Sequence, residues 1–547
     1  MTAVRDVAKS YGAILVAVVL FLGLTAVTDP VDRGERTIAA QAVLAPGQAP
    51  PAQGSGSVAE QQAAAAAAAQ GGGTAGGATG TGYTGYVPSG AAACPDRVVQ
   101  VPGDPYTPPC FVRDGDNGGT TTRGVTADTI KVAIRQVGTA DAGEALAEVG
   151  GGRRLSSSPE AYRQTLLALA EYFNTRFEMY GRKIEIVFYD GQGNASTELL
   201  GGGREQALSD ATRAAEELQV FADLSAITLP YADSLARLGV VNFGAPYPSR
   251  EWFDERAPFS WSIFPDGTRV VEAASAQIIN RIGPGSTADH AGPAFKGKPR
   301  KYALIAPENA EYQQSVNRYT EILARAGMNI DLNIKYRLDI SSMPNQASNI
   351  IAQLKDAGIT SVLAGTDPVM LALGLTPKAD EQDYEPEWIT AGLAFVEQDI
   401  VGQLMSPRQW AHAFGIAFNA ESEPIGGSFP YAAYKSVRPN DEPAFGVEEL
   451  YYQMYMLAVG IQMAGPNLTP ETLRDGMYAY PGGSGPRGFW KFGPGDHTPP
   501  DDFREIYWDG NVISPQTNEP GAWVQLNGGA RYFADTVPKA PAPYFQG

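Results

Sequence analysis

From Thr129 onward, short apolar runs alternate with stretches whose apolar residues recur at helical spacing. Thr129–Ala133 (TIKVA) predicts a strand. Ser158 followed by Pro159 predicts a helix start, because a serine side chain accepts from the free N–H groups of a first turn and proline has no N–H to leave unpaired. Behind it Tyr162, Leu166, Leu169, Phe173 and Phe177 recur at intervals of four, three, four and four, which is one face of a helix. Gly181 ends that helix and KIEIVFYD predicts the next strand. A helix over about 205–218, the strand FADLSAI, a short helix from Pro230 and the strand GVVNFG continue the series. Such βα alternation predicts a parallel sheet covered by helices.

The alternation restarts after about residue 265. A helix near 268–282 leads to KYALIAP, and the next helix carries Tyr312, Val316, Ile322 and Leu323. MNIDLNIKYRL alternates strictly, with Met328, Ile330, Leu332, Ile334, Tyr336 and Leu338 on one face of a strand. A helix with Ile350, Ile351 and Leu354 precedes SVLAG, and a helix from about Pro368 precedes EWITAG. Two arrays of similar size predict two α/β lobes. Open α/β sheets bind ligands beyond the carboxyl ends of their strands, so the expected site is the cleft between the lobes.

The first part of the chain has a different pattern. Arg5 and Lys9 precede an apolar run, Tyr11–Val27, which is long for a signal sequence and short for a membrane span. Residues 1–30 are read as a signal peptide or signal-anchor, with the uncleaved anchor favoured because no small-residue cleavage site follows closely. Residues 31–123 are read as a tether, rich in Ala, Gly, Pro and Gln up to about residue 90, with too few apolar residues to offset the entropy of ordering. Order is expected from about Gly124. The two cysteines, Cys94 and Cys110, lie in ACPDRVVQVPGDPYTPPC with no histidine or third cysteine nearby to complete a zinc site. In an oxidising compartment a Cys94–Cys110 disulfide is expected.

Composition narrows the function. The net charge of −19 comes without any clustered Lys/Arg face, so nucleic acid is excluded as a partner. A hydrophobic fraction of 44% is enough for the cores of two lobes. His290, His412 and His497 are scattered, and no metalloprotease, nucleophile-elbow or phosphate-loop pattern occurs. The glycines of GGGTAGGATGTG follow no strand, and RDGDNGG lacks the ligand positions of a calcium loop. No catalytic residue, metal or cofactor is assigned, and the chain is not expected to be an enzyme.

The segments GVTADTIKVA, AEYFNTRFEMYGRKIEIVFYDGQGN, GVVNFGAPYP and KYALIAPENAEYQQSVNRYTEILARAG, in this order, resemble the type I periplasmic binding proteins of the branched-chain amino-acid and amide group. The resemblance runs from GVTADTIKVA to about YWDG. It implies two Rossmann-like lobes joined by three hinge crossovers, closure on a small molecule, and delivery to an ABC permease. GVEELYYQMYMLAVGIQMA (446–464) resembles the late helix that returns to the first lobe, and GFWKFGPGDHTPPDDFREIYWDG the final strands of the second. The implied organisation is lobe I over 124–265 and 431–485, and lobe II over 266–430 and 486–547.

By position in that family, Thr139, Thr228, Tyr231, Ala245 and Tyr247 are ligand-binding candidates of the first lobe, and Tyr312, Asp367 and Phe395 of the second. Thr228 and Asp367 equally suit helix N-caps, Tyr231 and Tyr247 hinge or rim packing, and Tyr312 the core face of its own helix. Amino-acid binders of the group carry an acid after the strand corresponding to EWITAG, where this chain has Ala394 followed by Phe395. A buried ammonium without a carboxylate is costly. Either Asp367 replaces that acid, or the ligand is not an α-amino acid but an apolar or aromatic molecule, with or without a carboxylate. The expected function is capture of an amino acid, amide or apolar or aromatic carboxylate outside the cytoplasm, by a protein tethered through Tyr11–Val27 or secreted. A ligand-sensing ectodomain on a membrane tether and a lobed surface protein without a transport role are the alternatives.

Overall fold

A computed structural model describes residues 83–138, 157–199, 201–339 and 342–540. The apolar run Tyr11–Val27 and most of the low-complexity segment lie outside the described residues. Among the described residues no helix is long and apolar enough to cross a membrane.

Two separate sheets form. In lobe I, β3 (Thr129–Gly138), β4 (Lys183–Asn194), β5 (Ala222–Asp223), β6 (Val241–Phe243) and β7 (Ser260–Trp261) lie in the order β4-β3-β5-β6-β7, all parallel. In lobe II, β8 (Tyr302–Pro307), β9 (Ile330–Tyr336), β10 (Ser361–Ala364), β11 (Glu387–Thr390) and β12 (Ala413–Ala417) form a parallel set. Antiparallel β15 (Phe503–Ile513) and β16 (Pro520–Gln525) extend it to the order β16-β15-β12-β11-β10-β8-β9. β10, β11 and β12 are buried at every position, as strands covered on both faces must be. β9 lies at the edge, and its alternation leaves Ile334 and Tyr336 buried and Asp331, Asn333 and Lys335 exposed.

The cap predicted at Ser158 is present. Ser158 Oγ accepts from the Ala161 N–H at 3.2 Å and starts the helix Pro159–Arg176. Its buried face, Tyr162, Leu166, Leu169 and Phe173, meets the helix Val447–Ala464, with the Phe173 and Tyr451 rings 5.1 Å apart. Beyond Glu448 and Glu449 in its first turn, Val447–Ala464 is buried at every position, which explains why apolar residues occur on all its faces. The chain has thus returned to lobe I after building most of lobe II. It passes between the lobes at about 262–266, 418–428 and 491–502. The first and third passages are tied together: the Asp266 N–H donates to Thr498 Oγ1 at 3.0 Å, and Arg269 pairs with Asp496 at 2.8 Å.

Several elements differ from the sequence expectation. Order starts well before Gly124. β1 (Ala91–Ala93) and β2 (Phe111–Arg113) form a hairpin joined by the Cys94–Cys110 bond, with Cα atoms 5.4 Å apart. Tyr106 and Phe111 anchor this segment in the lobe I core, Tyr106 stacking on Trp490 at 4.6 Å. Arg182, of the Gly-Arg-Lys that opens β4, donates to the carbonyls of Thr126, Gly119 and Pro466 at 2.6, 3.1 and 2.8 Å and pins the segment down. FADLSAI supplies only the two residues of β5; beyond them Leu224 and Ala226 are buried in the core outside the strand. Gly488–Trp490 (β14) pairs with Gly483–Gly485 (β13) in a separate hairpin, so the late strands of lobe II begin only at Phe503. β7 and β12 carried too little pattern to be read. In β12 a Cβ on Gly415 would fall 2.0 Å from the Thr390 carbonyl, so strand packing here demands the glycine that weakens the strand signal.

Candidate functional site

The carboxyl ends of β8, β10 and β11 open onto one cavity of about 230 Å³. Ala306 and Pro307 end β8, Gly365–Val369 follow β10, and Ala391, Leu393 and Ala394 follow β11. Two helices cover it, Gly267–Gln277 through Val270, Val271 and Ala274, and Ala310–Arg325 through Tyr312, Ser315 and Val316. Lobe I closes the remaining side with Leu199, Pro246 and Tyr247. The covering helix can start this close to lobe I only because its first residue is glycine. A Cβ on Gly267 would lie 2.5 Å from the Tyr247 carbonyl and 2.7 Å from Ser315 Oγ.

Tyr247 and Ala394 join the lobes. The Tyr247 hydroxyl accepts from the Ala394 N–H at 2.9 Å. Tyr247, Ala394 and Phe395 have φ of 61°, 51° and 63°. Left-handed backbone at three non-glycine residues stores strain of the kind concentrated at ligand clamps, about 1–3 kcal/mol each. Phe264, from the first passage between lobes, stands between the rings of Tyr247 at 5.7 Å and Phe395 at 5.6 Å. This aromatic wall separates the apolar cavity from a second one of about 430 Å³, which Phe395 borders together with Asn419, Glu449 and Arg487. Burial pushes the Glu449 carboxyl up to about 7 against the pull of Arg487.

Asp367 borders the apolar cavity, but its oxygens are engaged. Oδ1 accepts from the N–H groups of Val369 and Met370 at 2.8 and 3.0 Å, and Oδ2 takes the Tyr336 hydroxyl. It caps the helical turn after β10, and burial raises its pKa despite these bonds. Tyr312 lies over the cavity, its hydroxyl pushed up by burial. No lysine, arginine or histidine lines the cavity among the described residues.

The structure therefore brings Tyr247, Tyr312 and Asp367 to one cavity and separates the other candidates from it. Thr228 and Tyr231 belong to a buried network in lobe I. Thr228 Oγ1 donates to Glu198 at 2.5 Å, so it is not the side-chain cap of its own helix either. Tyr231 donates to Asp223 at 2.8 Å and lies under the Arg135 guanidinium, 4.2 Å from ring centroid. Arg135 holds Glu198 at 2.5 Å and Asp210 at 2.8 Å, and burial pushes Asp223 up to about 6. Ala245 is enclosed in the lobe I core. Phe395 faces the second cavity, and Thr139 lies outside the described residues. Ser315 and Thr366 were not read as candidates. Their signal was available, because Ser315 stands three residues after Tyr312 on one helix face and Thr366 adjoins Asp367.

Two α/β lobes with a cavity across the strand ends, bridged by one lobe's tyrosine to the other lobe's backbone, define a two-lobed small-molecule binding protein. The sequence profile of the family described as periplasmic binding protein matches residues 151–511, more than half of the chain, and the chain belongs to that family. Its place is accordingly outside the cytoplasm. A comparison with curated protein sequences finds no match. Among solved structures, the leucine-, isoleucine-, valine-, threonine- and alanine-binding protein of Brucella ovis is similar at a TM-score of 0.52 and 13% identity, covering 76% of this chain and 98% of its own. The fatty acid ABC transporter substrate-binding protein of Thermomonospora curvata is similar at 0.50 and 16%, covering 77% and 97%. An ABC transporter solute-binding protein of Rhodopseudomonas palustris BisB5, in complex with 3,4-dihydroxybenzoic acid, is similar at 0.50 and 15%, covering 74% and 98%.

Proposed function

We propose that this protein captures a small molecule in the apolar cavity between its lobes and presents it to an ABC permease, outside the cytoplasm, either tethered to the membrane through Tyr11–Val27 or secreted. The observation that carries the reading is the cavity itself: strand ends of lobe II, two covering helices, and Tyr247 of lobe I bonded to Ala394 of lobe II. A bond between lobes at the mouth of a cavity makes ligand capture and lobe closure one event, with the ligand favouring the closed arrangement by the contacts it makes only there. The protein binds and releases its ligand unchanged. Its ligand is not an α-amino acid, because the residue facing the expected ammonium position is Ala394 and the nearby Asp367 already accepts three hydrogen bonds. The test is thermal unfolding of the protein in the presence of amino acids, amides, polyols and apolar and aromatic molecules. A ligand at a hundredfold of its Kd adds about 2.7 kcal/mol of stability. Stabilisation by amino acids alone contradicts the reading of Ala394, and conversion of any compound contradicts the binding role.

A further inference from the structure

We infer that the ligand of the interlobe cavity is an uncharged, mostly apolar molecule of about nine non-hydrogen atoms with one hydrogen-bonding group, received by the hydroxyls of Ser315 and Thr366. This rests on the interlobe reading and gives it a chemical class.

Size comes from the volume. An apolar cavity of about 150 Å³ accommodates benzene. In proportion, 230 Å³ accommodates about half as much again, a benzene ring carrying a short side chain. Charge comes from the lining. A carboxylate needs a cation or free N–H donors, since an unpaired buried charge is held only at great cost. Among the described residues no cationic side chain borders the cavity. The backbone donors best placed to replace one are occupied: those of Val369 and Met370 by Asp367, and that of Ala394 by the Tyr247 hydroxyl. A ligand ammonium fares no better, because the single bordering carboxylate is taken up by Tyr336 and those same N–H groups.

The polar group comes from two hydroxyls. Ser315 and Thr366 both line the cavity and are 6% and 1% exposed, and neither Oγ has a hydrogen-bond partner. Buried hydroxyls normally find one. A ligand hydroxyl or carbonyl supplies it, while the rest of the ligand meets Val270, Val271, Ala274, Val316 and Leu393.

The experiment uses the full chain and four compounds on one frame: phenethyl alcohol, phenylacetate, phenethylammonium and ethylbenzene, titrated calorimetrically. Phenethyl alcohol is expected to bind most tightly, with phenylacetate and phenethylammonium weaker by a factor of ten or more. Thr366→Val and Ser315→Ala, which keep the fold's shape, are expected to bring the alcohol's affinity down toward that of ethylbenzene and leave ethylbenzene unchanged. A charged compound binding as tightly as the alcohol overturns the assignment, and so does the absence of binding by all four at millimolar concentration. Equal loss of alcohol and hydrocarbon in both variants overturns the role of the hydroxyls. Ala274→Leu fills the cavity and is expected to abolish binding. Undiminished binding in that variant, with its fold verified by thermal unfolding, refutes the interlobe site itself rather than the ligand class.

Discussion

Replacing Tyr247 by phenylalanine removes a single oxygen from the junction of the lobes. The ring and its contact with Phe264 stay, and the Ala394 N–H loses its acceptor at 2.9 Å. An amide left unpaired costs about 1–3 kcal/mol when buried, and this one is part-buried, which places it near 1–2 kcal/mol. The bond joins one lobe to the other, so the cost falls on the closed arrangement and leaves each lobe's own core intact. Ligand affinity then drops by the same free energy, roughly 5- to 30-fold. Calorimetric titration with phenethyl alcohol reads this directly, and urea unfolding of the free protein supplies the control. An affinity within twofold of the original would show that the Tyr247–Ala394 bond takes no part in closure.

Thr228→Val is expected to lower stability by about 1–3 kcal/mol in urea unfolding, through the lost bond to Glu198, and to leave ligand affinity unchanged. Changed affinity with unchanged stability would return Thr228 to the ligand site. His497, in the third passage, lies 4.9 Å from Trp261 of β7, and burial holds it down to about 4. Its unfolded form takes up a proton below about pH 6.5 while the folded form stays neutral until about pH 4, so acidification favours unfolding across that window. Between pH 7 and 5 the protein should lose about 2 kcal/mol through this group, a loss that His497→Gln removes in paired unfolding curves. Cys94→Ser with Cys110→Ser is expected to lower stability by about 3 kcal/mol, measured against the oxidised protein, since the two half-cystines close a short loop anchored at Tyr106 and Phe111.

The two lobes were legible because each is built from a run of βα units whose periods change from two to about four, and the caps at Ser158 and the alternation of β9 fell where the pattern put them. The strands β5, β7 and β12 were harder, being short or interrupted by a glycine that serves packing. Residues 91–123 read as tether because proline and glycine recur through them, although Tyr106 and Phe111 are core residues and the partner of Tyr106, Trp490, lies hundreds of positions away. At the site, Tyr247, Tyr312 and Asp367 were named from the family resemblance, and the structure brings all three to the apolar cavity. Thr228 and Tyr231 occupy equivalent places but turn inward, because Arg135, Glu198, Asp210 and Asp223 form a buried charge network that needs their hydroxyls. Which way a hydroxyl after a strand points depends on such distant charges, and no local spacing reports them. The gap at Ala394 was visible, but its consequence, a backbone N–H turned to the opposite lobe's tyrosine, required the fold.

Hydrogen exchange of the full chain, with and without saturating phenethyl alcohol, probes the enclosed cavity most directly. The account predicts that slowed exchange appears together around Tyr247 in lobe I and around Thr366 and Ala394 in lobe II. Slowed exchange confined to one lobe, or gathered around Asn419 and Arg487 on the far side of the aromatic wall, would contradict it.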